Sequence, residues 1–252
     1  MVIAVANHKG GVAKTTSVGA LASIFADAGN RVLMVDLDTQ ANLTYSFVDV
    51  GKEPPARYIF DAIRERRGLP RVSVKENLYL VPSGLEMAVV EAGMYSMRRR
   101  EYVLQDLLRP VVDEYDMVFL DCPPSLSMMT TNALTAADRV TVPMNADQLS
   151  YYGLKMMKAY VEDMRDLNPS LRIDDVFFTR YDSREKLTRR WEEAIRAEFP
   201  DEVMDSVIRK NVRVSEAVSS YRSVVDYMPD SAGARDYAAL AHEYIARLRR
   251  GR

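Results

Sequence analysis

The sequence predicts an α/β fold: a doubly wound, mostly parallel sheet flanked by helices on both faces. Three observations predict it. Short β-rich runs alternate with longer helical patterns along the chain. Runs such as Met117-Val-Phe-Leu are apolar at every position, as strands covered on both faces require. The first run passes through a glycine pair directly into a helical pattern.

In order, the strand candidates are Val2–Ala6, Arg31–Asp36, Leu78–Val81, Met117–Asp121, Arg139–Pro143, Asp175–Thr179 and Val203–Ile208. Each is short and built around Val, Ile, Leu, Met or Phe. The helix candidates are Lys14–Ala28, Arg57–Arg66, Arg99–Glu114, Leu126–Ala136, Leu149–Asp166, Arg184–Phe199 and Ala232–Arg250. Gly51–Pro55 reads as a loop. No repeat, low-complexity tract or linker divides the chain, so residues 1–252 are expected to form a single domain.

Composition narrows the class. The chain is 48% hydrophobic and 28% charged, a globular profile that excludes a disordered chain. No apolar run approaches the roughly 20 residues that a spanning helix needs. A single cysteine, Cys122, excludes a disulfide framework and a cysteine zinc site. The strand-like run follows Met1 at once, so no signal peptide and no leading DNA-binding module is expected, and the default location is the cytoplasm. Net charge is −2, yet it is uneven: residues 180–252 hold 15 basic and 13 acidic residues, net +2, against net −4 over 1–179.

The strongest signal is Val2-Ile-Ala-Val-Ala-Asn-His-Lys-Gly-Gly-Val-Ala-Lys-Thr-Thr. Backbone N–H groups of such a loop, with the helix N-terminus behind it, form an anion cradle. Gly10 and Gly11 let the backbone approach phosphate oxygens without a Cβ in the way. Val12 and Ala13 complete the turn and Thr16 follows it. Lys14 can reach the β- and γ-phosphates, and the Thr15 hydroxyl can ligate Mg²⁺.

A phosphate loop requires acidic partners at the ends of neighbouring strands. Val32-Leu-Met-Val-Asp-Leu-Asp supplies Asp36 and Asp38, two apart and expected to point to one side. Asp38 can polarise a water against the γ-phosphate, and Asp36 can support the metal shell. Met117-Val-Phe-Leu-Asp121 reads as a Walker B strand, with Asp121 on Mg²⁺ through water.

These segments together resemble the ParA/MinD group of deviant Walker A ATPases, and the ParA/Soj partition proteins in particular. The group carries an extra signature lysine before the glycine pair, here Lys9. It usually has Gly where Ala13 stands; if that position requires positive φ, Ala costs about 1–2 kcal/mol. Asp36-Leu-Asp38-Thr-Gln-Ala-Asn follows the family motif with Thr39 for its proline, and Asp121-Cys-Pro-Pro-Ser-Leu follows the next almost letter for letter. The stretches Val140–Leu154, Thr179–Arg184 and Val207–Ala217 look like further family blocks. The resemblance implies ATP and Mg²⁺ as ligands, and catalytic roles for Lys9, Lys14 and Asp38. It places the adenine pocket near Arg180 and Arg209, where the family often has Met and Pro. It further implies an ATP-dependent sandwich homodimer in which Lys9 reaches the other protomer's phosphates. That dimer would bind DNA without sequence preference, be stimulated by a ParB-like partner and associate with the nucleoid.

Arg184, Lys186, Arg189, Arg190, Lys210 and Arg213 form a late basic cluster. Arg184, Lys186, Lys210 and Arg213 are the expected DNA contacts. The plain alternative is solvated helix faces paired with Glu185, Glu192 and Glu193. The last helix carries Tyr237, Leu240, Ala241, Tyr244, Ile245 and Leu248 on one stripe, followed by Arg249, Arg250 and Arg252. A MinD-like membrane-positioning ATPase would use such a stripe as an anchor. Its small alanines favour packing on the sheet instead. A dethiobiotin-synthetase-like ligase would need substrate motifs that are not found, and an iron–sulfur reductase would need two cysteines.

Overall fold

A computed structural model describes residues 1–249. One eight-stranded sheet runs through the molecule, in the order β3-β4-β2-β5-β1-β6-β7-β8. The strands are β1 (Val2–Val5), β2 (Val32–Asp36), β3 (Val72–Lys75), β4 (Leu78–Val81), β5 (Met117–Asp121), β6 (Arg139–Met144), β7 (Ile173–Tyr181) and β8 (Val203–Arg209). All neighbours are parallel except the β3–β4 pair at one edge. Every strand candidate from the sequence is present. The edge strand β3 was missed because Val72-Ser-Val-Lys is short and only half-buried, so it lacks the apolar run that marks the centre.

Alternation along the central strands feeds two cores. Val2, Ala4, Leu33, Val35, Val118 and Leu120 pack on one face. Ile3, Val5, Val32, Met34 and Phe119 pack on the other. The second face is covered by α1 (Lys14–Asp27) and α11 (Ala232–Arg249). Phe25 of α1 stacks on Phe119 and meets Tyr244 of α11. Tyr237, Leu240, Ala241 and Tyr244 are buried, and Ile245 and Leu248 pack against the same core. The stripe on the last helix is therefore a core face. Arg250 and Arg252 lie outside the described residues.

The first face is covered by α3 (Ile59–Glu65), α4 (Met87–Met94), α5 (Val103–Leu108), α6 (Met128–Ala136), α7 (Gln148–Asp163) and α8 (Lys186–Glu198). The helix expected over Arg99–Glu114 is in fact shorter. A 3₁₀ turn at Arg100–Tyr102 leads into α5, and another follows at Val112–Glu114. At the far end Pro110, which has no N–H to continue the hydrogen-bond ladder, stops α5 at Leu108. At the entry the cause is tertiary. The buried Asn132 of α6 donates to the Arg100 carbonyl (2.8 Å) and accepts from the Leu104 N–H (3.0 Å), which fixes the entry turn in place of a longer helix. Four short helices were not foreseen: α2 (Asn42–Phe47), α4, α9 (Arg213–Ser219) and α10 (Val224–Tyr227). Each is only one or two turns, too short for a helical period to show.

Replacing Asn132 by Ala strands the buried Leu104 N–H and the Arg100 carbonyl. Asn132→Ala is expected to lower unfolding stability by about 2–3 kcal/mol in urea titration. An unchanged midpoint and slope would show that α5 does not depend on this side chain.

Candidate functional site

The site forms at the carboxyl edge of the parallel strands, where connections diverge to either side of β1. The register aligns Val5 with Asp121, and Asp36 with Asp121, so β1, β2 and β5 end level with one another. Everything the sequence predicted for phosphate chemistry leaves from that edge.

The loop after β1 is locked by its own polar atoms. Asn7 is buried; its Nδ2 donates to the Pro143 carbonyl (2.8 Å) and its Oδ1 accepts from the Lys9 N–H (2.8 Å). Lys14 folds back over the loop and donates from Nζ to the Asn7 and Lys9 carbonyls, 3.1 Å each. Burial lowers its pKa, partly offset by Asp121, Cys122 and Asp38. Gly11 and Ala13 are both left-handed, at φ +72° and 62°. Ala13 therefore occupies the conformation that glycine tolerates without cost, immediately before the first turn of α1.

Asp38 and Asp36 diverge instead of pointing together. Asp38 lines the cavity at the loop. Asp36 is fully buried, and its oxygens are already used: Oδ1 accepts from Asp38 N (3.1 Å), Oδ2 from Thr44 N (2.8 Å) and Thr44 Oγ1 (2.7 Å). It builds the turn that positions Asp38 and does not reach the cavity. Burial pushes its pKa up to about 7 against those hydrogen bonds. Thr44 Oγ1 also accepts from Ser83 N (2.9 Å), tying the turn to the end of β4. No sequence motif marked Thr44 or Ser83.

Asp121 is the opposite case. It is fully buried, and neither carboxylate oxygen has a hydrogen-bond partner of good geometry. Burial and the nearby Asp36 raise its pKa well above the ordinary range, while Thr15 and Lys14 pull it down. An orphaned carboxylate beside a threonine hydroxyl suits a divalent cation. Among the described residues no group of three or more acidic, His or Cys side chains is arranged to hold a metal ion by itself. A metal here would take the rest of its oxygens from a phosphate and water, as Mg²⁺ does. The Cys122 thiol is buried and its pKa is driven up by burial, which fits an inert packing residue.

Two lobes meet at the loop. One, of about 360 Å³, is lined by Gly10, Lys14, Thr15, Asp38, Asn42 and Tyr45 among others. The other, of about 370 Å³, is lined by Thr179, Arg180, Arg209, Lys210, Asn211 and Tyr237 among others. Both share Gly11, Ala13 and Thr16. A phosphate chain and a base thus have adjoining spaces on either side of the cradle. Arg180 and Arg209 both line the second lobe, but they are not equivalent. Arg180 is left-handed (φ 50°) and exposed. Arg209 is clamped by Asp236, through Nη2 to Oδ1 (2.6 Å) and Nε to Oδ2 (3.0 Å), so its guanidinium has a fixed place at the wall. Val12 packs its side chain inward and its carbonyl accepts from Thr179 Oγ1 (3.1 Å).

Lys9 does not point into its own cavity. Its ammonium pairs with Asp147 (2.7 Å to Oδ2, 3.0 Å to Oδ1) and donates to Ser150 Oγ (3.1 Å). Asp147 also caps α7 by accepting from Ser150 N (2.7 Å), and these hydrogen bonds hold its pKa below the usual carboxylate value despite burial. The pair is partly exposed, at 28% and 40%, so its worth is of the order of a surface pair, about 0–1 kcal/mol. Within the late basic cluster, Arg184 is bidentate to Asp182 (2.6 and 2.9 Å) and Arg213 pairs with Glu216 (2.6 Å). Lys186 opens α8, whereas Lys210 sits at the rim of the second lobe. The four expected DNA contacts therefore do not share one uncompensated surface.

A family model described as an AAA domain matches residues 1–173. The chromosome partitioning protein ParA of Caulobacter vibrioides is 37% identical over 254 residues, covering 98% of this chain and 95% of that protein. The crystal structure of cobyrinic acid a,c-diamide synthase from Mycobacterium smegmatis with bound ADP and magnesium is 31% identical. It covers 100% of this chain and 96% of its own, at a TM-score of 0.84. A plasmid partition protein from Borrelia burgdorferi, 23% identical over 97% of this chain and 98% of its own, shares the fold at a TM-score of 0.83.

Two stability outcomes follow from the site's own geometry. Relieving the left-handed alanine with Ala13→Gly should stabilise the protein by up to about 1 kcal/mol in thermal or urea melts, since the gain exceeds the entropy glycine adds to the unfolded chain. Asp36 and Asp121 bind protons more tightly when folded than the ordinary value of 3.8 allows, so the ligand-free protein should lose stability as pH rises from about 4 to about 7. Asp121→Asn removes the buried charge. It should make that slope shallower and raise the melting temperature at neutral pH. A steeper slope or a lower melting temperature would contradict this placement of the charge.

Proposed function

The chain belongs to the ParA/Soj family of partition ATPases, and on that premise we propose that it is an ATP-driven switch for DNA partition. One observation carries the reading: a locked phosphate loop faces an orphaned buried carboxylate, with room for a phosphate chain on one side and a base on the other. The Mycobacterium smegmatis structure holds ADP and magnesium, which supports ATP and Mg²⁺ as the ligands here. Thr15 and Asp121 would hold the ion, which would offset charge on the β- and γ-phosphates.

In this reading the N–H groups of residues 10–16 cradle the phosphates, and Lys14 exchanges its two loop carbonyls for phosphate oxygens. Asp38 accepts a hydrogen bond from a water and aims its oxygen at the γ-phosphorus. As the new P–O bond forms, the bond to the ADP oxygen breaks and the proton leaves with inorganic phosphate. Asp36 acts one step back, holding the turn that sets Asp38. Adenine lies in the second lobe, with Arg180 free to stack on it and Arg209 fixed by Asp236. Two protomers close face to face over the nucleotide, and each Lys9 trades Asp147 for the other's phosphates. The weak pairing to Asp147 keeps that exchange inexpensive.

The closed dimer binds DNA nonspecifically, a ParB-like protein stimulates hydrolysis, and ADP release of the dimer resets it. In this reading the protein works in the cytoplasm, on the nucleoid. A membrane-positioning role would need the last helix free, and its apolar residues are buried in the core. Among the described residues no helix is long and apolar enough to cross a membrane.

Sizing with ATP, ADP or no nucleotide tests the switch. Asp38→Ala should accumulate as an ATP-bound dimer while phosphate release falls by about 100-fold or more. If Asp38→Ala stays monomeric with ATP, the sandwich mechanism fails.

A further inference from the structure

A second basic surface lies apart from the late cluster. Two arginine-rich turns far apart in sequence are brought together on the flank of the first core face. The first closes α3 and carries Arg64, Arg66 and Arg67; the second precedes α5 and carries Arg98, Arg99 and Arg100. They are joined directly, because Arg66 Nη2 donates to the Arg98 carbonyl at 2.8 Å across 32 residues. Arg66 and Arg99 are each left-handed, at φ 56° and 54°, so both turns reverse sharply and present consecutive arginines outward.

Compensation is sparse. Residues 64–67 and 98–101 hold six arginines and two acids, Glu65 and Glu101. Glu65 is already held by Arg57 (2.8 Å), with Arg67 at 3.7 Å, and Glu101 by Arg100 (2.9 Å). Among the described residues, Arg64, Arg66, Arg98 and Arg99 form no ion pair. Arg64 lies over the Phe60 ring (5.6 Å) and Arg99 over the Tyr102 ring (5.1 Å), which fixes their direction without neutralising them. In the late cluster Arg184 and Arg213 are each spent on a carboxylate, while Lys186, Arg189, Arg190 and Lys210 form no ion pair among the described residues. A chain of net charge −2 therefore concentrates at this flank a positive charge that its own acids do not balance.

We propose that this flank, with Arg64, Arg66, Arg98 and Arg99 as its contacts, is a binding surface for the phosphate backbone of duplex DNA. The inference deepens the reading of the chain as a DNA-binding switch and rests on it. Guanidinium groups in a held array suit phosphate oxygens, and contacts of that kind are indifferent to sequence. A lipid surface fits less well. Phe60, Ile63 and Leu69, interleaved with the first turn, are buried, and Met97 before the second packs on the core; the exposed Tyr95 carries a polar hydroxyl and is no aliphatic wedge.

The test compares the wild type, Arg64→Gln/Arg98→Gln and Lys186→Gln/Lys210→Gln. Arg64 and Arg98 are chosen because neither side chain makes a hydrogen bond or ion pair within the described structure. Binding of a labelled duplex of arbitrary sequence is followed by anisotropy with a non-hydrolysable ATP analogue over a range of salt. Unchanged thermal melting and DNA-free ATP hydrolysis serve as checks that the arginine variant is intact. It should bind about 10-fold more weakly and lose about two from its log K against log salt slope. Wild-type slope and affinity in that variant would overturn the inference. So would a loss of binding to phosphatidylglycerol vesicles with duplex binding intact. If the wild type itself fails to bind the duplex, the underlying reading fails instead. If only the lysine variant weakens, DNA binding stands and this surface does not. Should the double variant melt early, Arg98→Gln alone is measured, with a slope change of about one expected and no change counting against the proposal.

Discussion

A buried ammonium and two buried carboxylates share the carboxyl edge of three adjacent strands, and the rest of the structure accommodates that arrangement. Charges taken out of water are costly unless they are paired or hydrogen-bonded. Lys14 spends its protons on two loop carbonyls, and Asp36 collects three hydrogen bonds from the turn it organises. Asp121 has no hydrogen bond of good geometry, only the nearby Thr15 hydroxyl and Lys14 charge. That imbalance costs stability in the ligand-free protein and is what a phosphate-bound cation would relieve. The two-sided core makes the burial possible, because β1, β2 and β5 are covered on both faces and end in register.

The same edge also sends one charged side chain away from the cavity. Lys9 leaves the loop sideways and rests on the cap of α7, not on its own cradle. A lysine held by a partly exposed carboxylate can be recruited elsewhere at little cost. The cap therefore keeps the side chain ordered while leaving it available, which is what a residue acting across a dimer would need.

Much of this was legible in the chain. The phosphate loop, the alternation of strands and the carboxylates at strand ends declare themselves through local spacing. The family's usual glycine at position 13 raised positive φ there as a condition, and the structure meets it with Ala13 at 62°. Other features were not legible, each for a physical reason. Asp36 and Asp38 alternate as a strand would place them only if the strand continues, and a turn intervenes. The helix expected before β5 starts later in the structure because Asn132, from a different helix, holds its entry as a turn; its early end at Leu108, by contrast, is marked in the chain by Pro110. The arginine flank was invisible because its halves lie 32 residues apart and each looks like an ordinary helix end.

The sequence by itself determined the fold class, the loop and the acids that surround it. These depend on periodicity, glycine placement and apolar runs, all of which act within a few residues. Only the tertiary structure decided which acid lines the cavity and which builds its wall, which arginines are compensated, and where Lys9 rests. Those outcomes are set by desolvation and by charges that meet across the fold, and one-dimensional spacing does not encode which distant groups share a low-dielectric space.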